Sequence, residues 1–183
     1  MTWIVLIDRS EKPREQTSFI SIVVINSSFK TDIYSQIKDW ITHTKKLGRK
    51  KAQYLNTFED KYSKVLHLIE VSRVFSYRKG RNVPDIVFEI INKYLHDYTV
   101  IIVDDKLLKT FRRKYPKQRV IPEGKLTDKQ LKKIMLIADN ICNYFRVKGT
   151  LDKIWKVMSQ ERRQLRPGRD FMLVRPIGLS ASI

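Results

Sequence analysis

Two apolar runs near the amino terminus, WIVLI at residues 3–7 and SFISIVVINSS at 18–28, are joined by the polar segment RSEKPREQT. A link of that length is too short to contain a crossover helix, so the two strands are expected to pair antiparallel. A different connection follows further along. Pro84 opens a helical pattern containing Ile86, Val87, Ile90, Ile91 and Leu95, which leads into a strand at 98–104 in the strand-helix-strand order of a parallel crossover unit. With strand one central, antiparallel to strand two and parallel to the strand at 98–104, the chain makes a mixed sheet.

The remaining pattern fills in around that frame. Ser28 or Thr31 can cap a helix with Ile33, Ile37, Trp40 and Ile41 on one face, and TFEDKYSKVLHLIEV carries Phe58, Tyr62, Val65, Leu66 and Ile69 on a second helical stripe. RVFSYRKG alternates Val74 and Ser76 against Phe75 and Tyr77, as a strand does. DKLLKTFRRKY reads as a short helix and QRVIPEG as a short strand or extended turn. The longest helix is expected from Thr127 to Val147, with Leu131, Ile134, Met135, Ala138, Ile141, Cys142 and Phe145 in a continuous stripe. The composition changes at Gly149, which suggests a domain over residues 1–148 and a C-terminal extension over 149–183 holding one more helix, the cationic ERRQLRPGR and an apolar tail from Phe171. The expected class is α/β, a three-layer fold with about five strands in a mixed central sheet flanked by helices.

Charge narrows the partners. Thirty-seven Lys and Arg stand against nineteen Asp and Glu, a formal net charge of +18, and an excess of that size attracts polyanions and gives counterion-release affinity for a phosphate backbone. Three basic groups stand out: Lys45, Lys46, Arg49, Lys50 and Lys51; Arg112, Arg113, Lys114, Lys117 and Arg119; and Arg162, Arg163, Arg166 and Arg169. Aromatics interleave with them only at Tyr54 and Tyr115, so phosphate contact is expected rather than base stacking. The single cysteine, Cys142, permits no intramolecular disulfide and fits a small core residue in a reducing interior. No zinc spacing links His43, His67 and His96, with His67 expected at the core edge of its helix, and no phosphate-loop or dinucleotide glycine signature occurs. The amino-terminal apolar run is far shorter than the ~18 residues a membrane span needs, so the expected location is the cytoplasm.

Carboxylates are scarce in such a chain, which makes their placement informative. The sheet described above puts Asp8 and Asp104 side by side at the same sheet edge, and the long helix carries Asp139 beside its core stripe. Each also has an ordinary explanation, since Asp8 can make an Asx turn, Asp104 or Asp105 can cap the helix that follows, and Asp139 can be a solvated flank residue. Converging carboxylates repel and raise one another's pKa unless a cation neutralises them, and hard oxygen ligands suit Mg²⁺ or Mn²⁺. Two such ions about 4 Å apart are a recurrent device for phosphodiester hydrolysis.

At these residues the chain resembles the ribonuclease H-like superfamily, and within it a family of domains of unknown function found widely in bacteria, archaea and their viruses. The counterparts are VLIDRSE, SFISIVVI, VIIVDD and IMLIADNICNY, over roughly residues 3–147. The resemblance implies a ribonuclease H-like fold and a two-metal nuclease centre in which Asp8, Asp104 and Asp139 are catalytic and metal-binding, with Mg²⁺ or Mn²⁺ as cofactor and DNA or RNA as partner. One departure is that GRKKAQYL places Arg49 where the family carries a further acidic residue and Lys51 at the family lysine. Another is that the first strand ends Asp8-Arg9 rather than Asp-Glu; Asp105 or Glu11 are candidate substitutes as ligands. Two other functions fit the same residues: a nucleic-acid-binding scaffold with a decayed centre, and an interaction module that forms a homodimer through its C-terminal extension.

Overall fold

A computed structural model describes residues 2–11, 16–41 and 57–148. Five strands, β1 (Trp3–Glu11), β2 (Thr17–Asn26), β3 (Ile69–Arg78), β4 (Val100–Val103) and β5 (Arg119–Pro122), form one sheet in the order β3-β2-β1-β4-β5. β2 is antiparallel to both neighbours, whereas β1, β4 and β5 run parallel. The short first connection accounts for the antiparallel β1–β2 pair and the helical connection between β4 and β5 for their parallel pairing, whereas β2 and β3 are antiparallel although helices lie between them.

The helices are α1 (Lys30–Gln36), α2 (Phe58–Leu66), α3 (Asp85–Asn92), α4 (Leu108–Lys114) and α5 (Lys129–Lys148). Alternation along β1 assigns its side chains to two cores. Ile4 and Leu6 pack with α1, α2 and α5, and Val5 and Ile7 pack with α3 and α4. Burial on both faces is why WIVLI is a continuous apolar run and not an alternating one. On the first face Phe58 lies 5.6 Å from Trp40, 5.7 Å from Tyr62 and 5.1 Å from Tyr144 between ring centroids. That aromatic cluster joins the segment after α1 to α2 and α5.

The structure differs from the sequence expectations at several element ends. β1 does not stop at Asp8 but continues to Glu11 along β2, because antiparallel pairing persists after β4 has ended. The second helix stops at Leu66, and Ile69 belongs to β3, where it pairs with Ile25. Apolar residues at 65, 66 and 69 satisfy a helical period, yet β-branched Ile69 and Val71 gain a strand partner in β2. The cap before α1 is neither Ser28 nor Thr31. Asn26 accepts the Ser28 N–H at 3.0 Å and caps the 3-10 turn Ser27–Phe29, from which α1 continues. Ile41 is exposed, although Ile33, Ile37 and Trp40 are buried as expected. His67 is exposed at the end of α2 and not at the core edge. Among the described residues no helix is long and apolar enough to cross a membrane. The proposed second domain at 149–183, its arginines and its tail lie outside the described residues.

Candidate metal centre

The parallel register sets the geometry of the acidic edge. Ile7 pairs with Val103 and Val103 with Pro122, so the next residues, Asp104 just past the end of β4, Glu123 just past the end of β5 and Asp8 within β1, stand in one row across three neighbouring strands. The Asp104 N–H donates to the Ile7 carbonyl at 2.9 Å, which ties the end of β4 to β1. Asp8 shares the face of Ile4 and Leu6, the face covered by α5. Ser21, the β2 partner of Asp8, donates its hydroxyl to the Ala138 carbonyl at 2.9 Å. The Cys142 thiol lies 3.3 Å from the Phe19 carbonyl and 3.8 Å from that of Asp8. These contacts seat the Ala138–Cys142 turn of α5 over β1 and β2 beside Asp8, and Asp139 stands on its flank.

Four carboxylates there act on one another. Burial first, then the charges of Asp139, Asp104 and Glu123, push the Asp8 carboxyl well above the usual carboxylate range, against a hydrogen bond from the Arg9 N–H. Asp8 is only 6% exposed, so its charge has little water to lean on. Burial, followed by Asp139, Asp104 and Asp105, also raises Glu123, with Lys132 opposing. The same surroundings raise the Cys142 thiol, mainly by burial and then by Asp8, so Cys142 is a core residue and not a nucleophile.

Asp104, Asp105 and Asp139 also have local partners. Asp104 Oδ1 accepts the Lys106 N–H at 2.7 Å, the capping role open to it from sequence. Asp105 Oδ1 accepts the Gly124 N–H at 3.0 Å, and Asp139 Oδ1 accepts Asn143 Nδ2 at 2.7 Å. In this conformation no group of three or more His, Cys, Asp or Glu among the described residues is disposed to hold a metal ion. Asp8, Asp104 and Asp139 are thus brought to one edge and into electrostatic reach, as expected, but their oxygens are turned to protein donors and not closed on a common point.

Glu123 was missed by sequence reasoning. Its signal was available: QRVIPEG, like VIIVDD, carries an acid directly after a short apolar strand. Reading both as parallel neighbours would have placed them together. Glu11 does not substitute for a missing ligand. It pairs with Arg9 at 3.2 Å and accepts the Ser18 hydroxyl at 2.7 Å, and alternation turns it to the opposite face from Asp8. Asp105 instead braces the turn after β5. A Cβ on Gly124 would meet Asp105 Oδ2 at 2.6 Å, so Gly124→Ala must swing that carboxylate away and lose its hydrogen bond. The expected cost is about 1 kcal/mol, measurable as a lower urea midpoint with unchanged slope.

Of the candidate nucleic-acid contacts, Lys45, Lys46, Arg49, Lys50 and Lys51 lie outside the described residues. Arg112, Arg113 and Lys114 are exposed in the last turn of α4, at the end of the sheet opposite the carboxylates, because α4 must return the chain to the start of β5. Lys114 Nζ sits 5.2 Å from the centre of the Phe88 ring. Tyr115 is not a stacking platform: it is buried, its hydroxyl donates to the carbonyl of Phe88 or Oδ1 of Asn92 at 3.3 and 3.1 Å, and burial pushes its phenol up to about 12.

A sheet of order 3-2-1-4-5 with only β2 reversed against β1, β3, β4 and β5, crossed by a late helix that packs on β1 and β2, is a ribonuclease H-like fold. Among solved structures, the chain is similar to the type 2 ribonuclease H of Pyrococcus horikoshii, at 16% identity and a TM-score of 0.47 over 92% of this chain and 81% of that one. It is also similar to the RNase HII of Archaeoglobus fulgidus seen in a complex with PCNA, at 12% identity and a TM-score of 0.44 over 96% and 98% of the two chains. Neither likeness is near enough to carry an argument about activity, and the fold class rests on the strand order of this chain. No protein-family model and no curated protein matches it, so the narrower resemblance to the family of domains of unknown function finds no support.

Proposed function

We propose that this protein hydrolyses phosphodiester bonds of DNA or RNA with the help of Mg²⁺ or Mn²⁺ held by Asp8, Asp104 and Asp139, with Glu123 as a fourth carboxylate beside them. The observation that carries the reading is the register that sets Asp8, Asp104 and Glu123 in one row across three adjacent strands, next to the helix turn bearing Asp139. An all-oxygen, all-anionic donor set suits a hard divalent cation. Asp8 and Glu123 are raised first by burial and then by neighbouring carboxylates, a repulsion that a bound cation would relieve. Such ions, when bound, activate an attacking water and stabilise the leaving oxygen. The chain's own part is to set the four carboxylates at fixed backbone positions, to hold Asp8 away from water, and to draw the polyanionic substrate by its excess of cations.

The α4 cations give the substrate a second point of contact. From the carboxylate edge, Lys106, Lys109, Arg112 and Arg113 are exposed along the return of the chain to the start of β5. β4 spans roughly 13 Å at ~3.3 Å per residue, about four steps of a duplex at ~3.4 Å each. Replacing Arg112 and Arg113 together by Ala is expected to weaken binding uniformly across sequences. It should also flatten the slope of log K against log salt by about 0.9 for each phosphate that the variant no longer neutralises. Fluorescence anisotropy of labelled duplexes over a salt series checks this, and an unchanged slope removes α4 from the interface.

A second reading is nucleic-acid binding without cleavage. It is favoured by Asp104 and Asp139 spending an oxygen each on Lys106 and Asn143, and by Arg9 following Asp8. Incubating labelled DNA, RNA and hybrid duplexes with the protein in Mn²⁺, Mg²⁺ or EDTA separates the two. Metal-dependent products support hydrolysis, whereas salt-sensitive binding with no products supports the second reading.

A further inference from the structure

We infer that Asn143 is a positioning residue for Asp139, an inference that rests on the metal-dependent reading above. Asn143 lies one turn beyond Asp139 on α5 and is 8% exposed. Its Nδ2 donates to Asp139 Oδ1 at 2.7 Å and to the Asp139 carbonyl at 2.9 Å. Its Oδ1 accepts the Ser10 hydroxyl at 2.9 Å and Arg146 Nη2 at 2.8 Å. Both amide hydrogens and both carbonyl lone pairs are therefore in use. A guanidinium only donates, so the oxygen of the amide must face Arg146 and its nitrogen must face the carboxylate. The amide has one orientation, and it pins Asp139 Oδ1.

The other end of the contact is what distinguishes positioning from packing. Ser10 is buried, and on β1 it is two residues beyond Asp8 on the same face. Asn143 thus ties the carboxylate carried by the helix to the strand that carries the other one, and sets their separation through side chains outside the acidic group. Arg146 completes the line: its Nη2 donates to the same amide whose nitrogen donates to the Asp139 carboxylate, so its positive charge polarises that amide.

The test is calorimetric titration of the full chain with MnCl₂, comparing wild type with Asn143→Leu, Asn143→Asp and Asp104→Asn, with circular dichroism melts of each. Asn143→Leu keeps the size and removes every hydrogen bond. Asn143→Asp keeps an acceptor for Ser10 and Arg146, removes both donors to Asp139 and sets a like charge against its carboxylate, so it decides the matter if the leucine variant does not fold. Both are expected to bind Mn²⁺ about 10–100-fold more weakly, the usual effect of removing the partner that orients a ligand. In cleavage assays they should lower kcat more than they raise KM. Wild-type Mn²⁺ affinity in a folded Asn143→Asp protein would overturn the assignment and leave the metal-dependent reading standing. A wild type that takes up no Mn²⁺, with Asp104→Asn indistinguishable from it, overturns that reading and the inference with it.

Discussion

Asp104→Asn is expected to remove metal-dependent cleavage while leaving the fold and the affinity for nucleic acid in place. The substitution is isosteric and keeps an oxygen to accept the Lys106 N–H, so the cap after β4 survives. What is removed is one negative charge in the middle of a row across three adjacent strands, between Asp8 and Glu123. Replacing the partner that merely orients a ligand costs about 10–100-fold, so loss of a ligand itself should lower cleavage by at least ~100-fold and abolish the heat of Mn²⁺ binding. Salt-sensitive binding to duplexes should persist, because the counterion term depends on Lys and Arg. A variant that cleaves at the wild-type rate would remove Asp104 from the chemistry, and with it the proposed centre.

Asp8→Asn should make the metal-free protein more stable at neutral pH while destroying its response to Mn²⁺. Burial and three neighbouring carboxylates raise the folded-state pKa of Asp8, so the folded chain binds that proton more tightly than the unfolded chain does. Its contribution is therefore fully present below the ordinary carboxylate range and is lost as pH rises through the folded pKa. Glu123 acts in the same direction. Asparagine retains an acceptor for the Arg9 N–H and carries no charge. The expected gain at pH 7 is roughly 1–3 kcal/mol, the scale of an uncompensated buried polar group, or about 2–4 °C in Tm per kcal/mol for a chain of this size. Melts in EDTA between pH 4 and 8 should show a falling Tm in wild type and a flatter profile in the variant. Added Mn²⁺ should raise the Tm of wild type alone, since only a ligand-competent folded state is stabilised by mass action. A variant less stable than wild type at pH 7, with the same pH slope, would mean that Asp8 is stabilised by contacts other than those described.

Much of this architecture is written in local patterns. The continuous apolar residues of β1 and β4, the stripe of α5 and the short first connection together imply a mixed sheet with β1 inside it, and hence the adjacency of Asp8 and Asp104. Periodicity was less informative at boundaries. Leu66 and Ile69 fit one helical stripe, and only the antiparallel ladder of β2 with β3 assigns Ile69 to a strand. The cap at Asn26 was similarly hidden among neighbouring Ser and Thr residues able to serve.

What the sequence by itself determined is the order of strands and helices and the three aspartates worth watching, because hydrophobic period, connection length and charge scarcity are properties of neighbouring residues. Only the tertiary structure decided that Glu123 joins them, that Glu11 turns away, and that Asn143 links Asp139 to Ser10. Those facts depend on register, strand parity and the seat of a helix on a sheet, where residues more than a hundred positions apart meet. A pattern within one segment carries no record of such meetings.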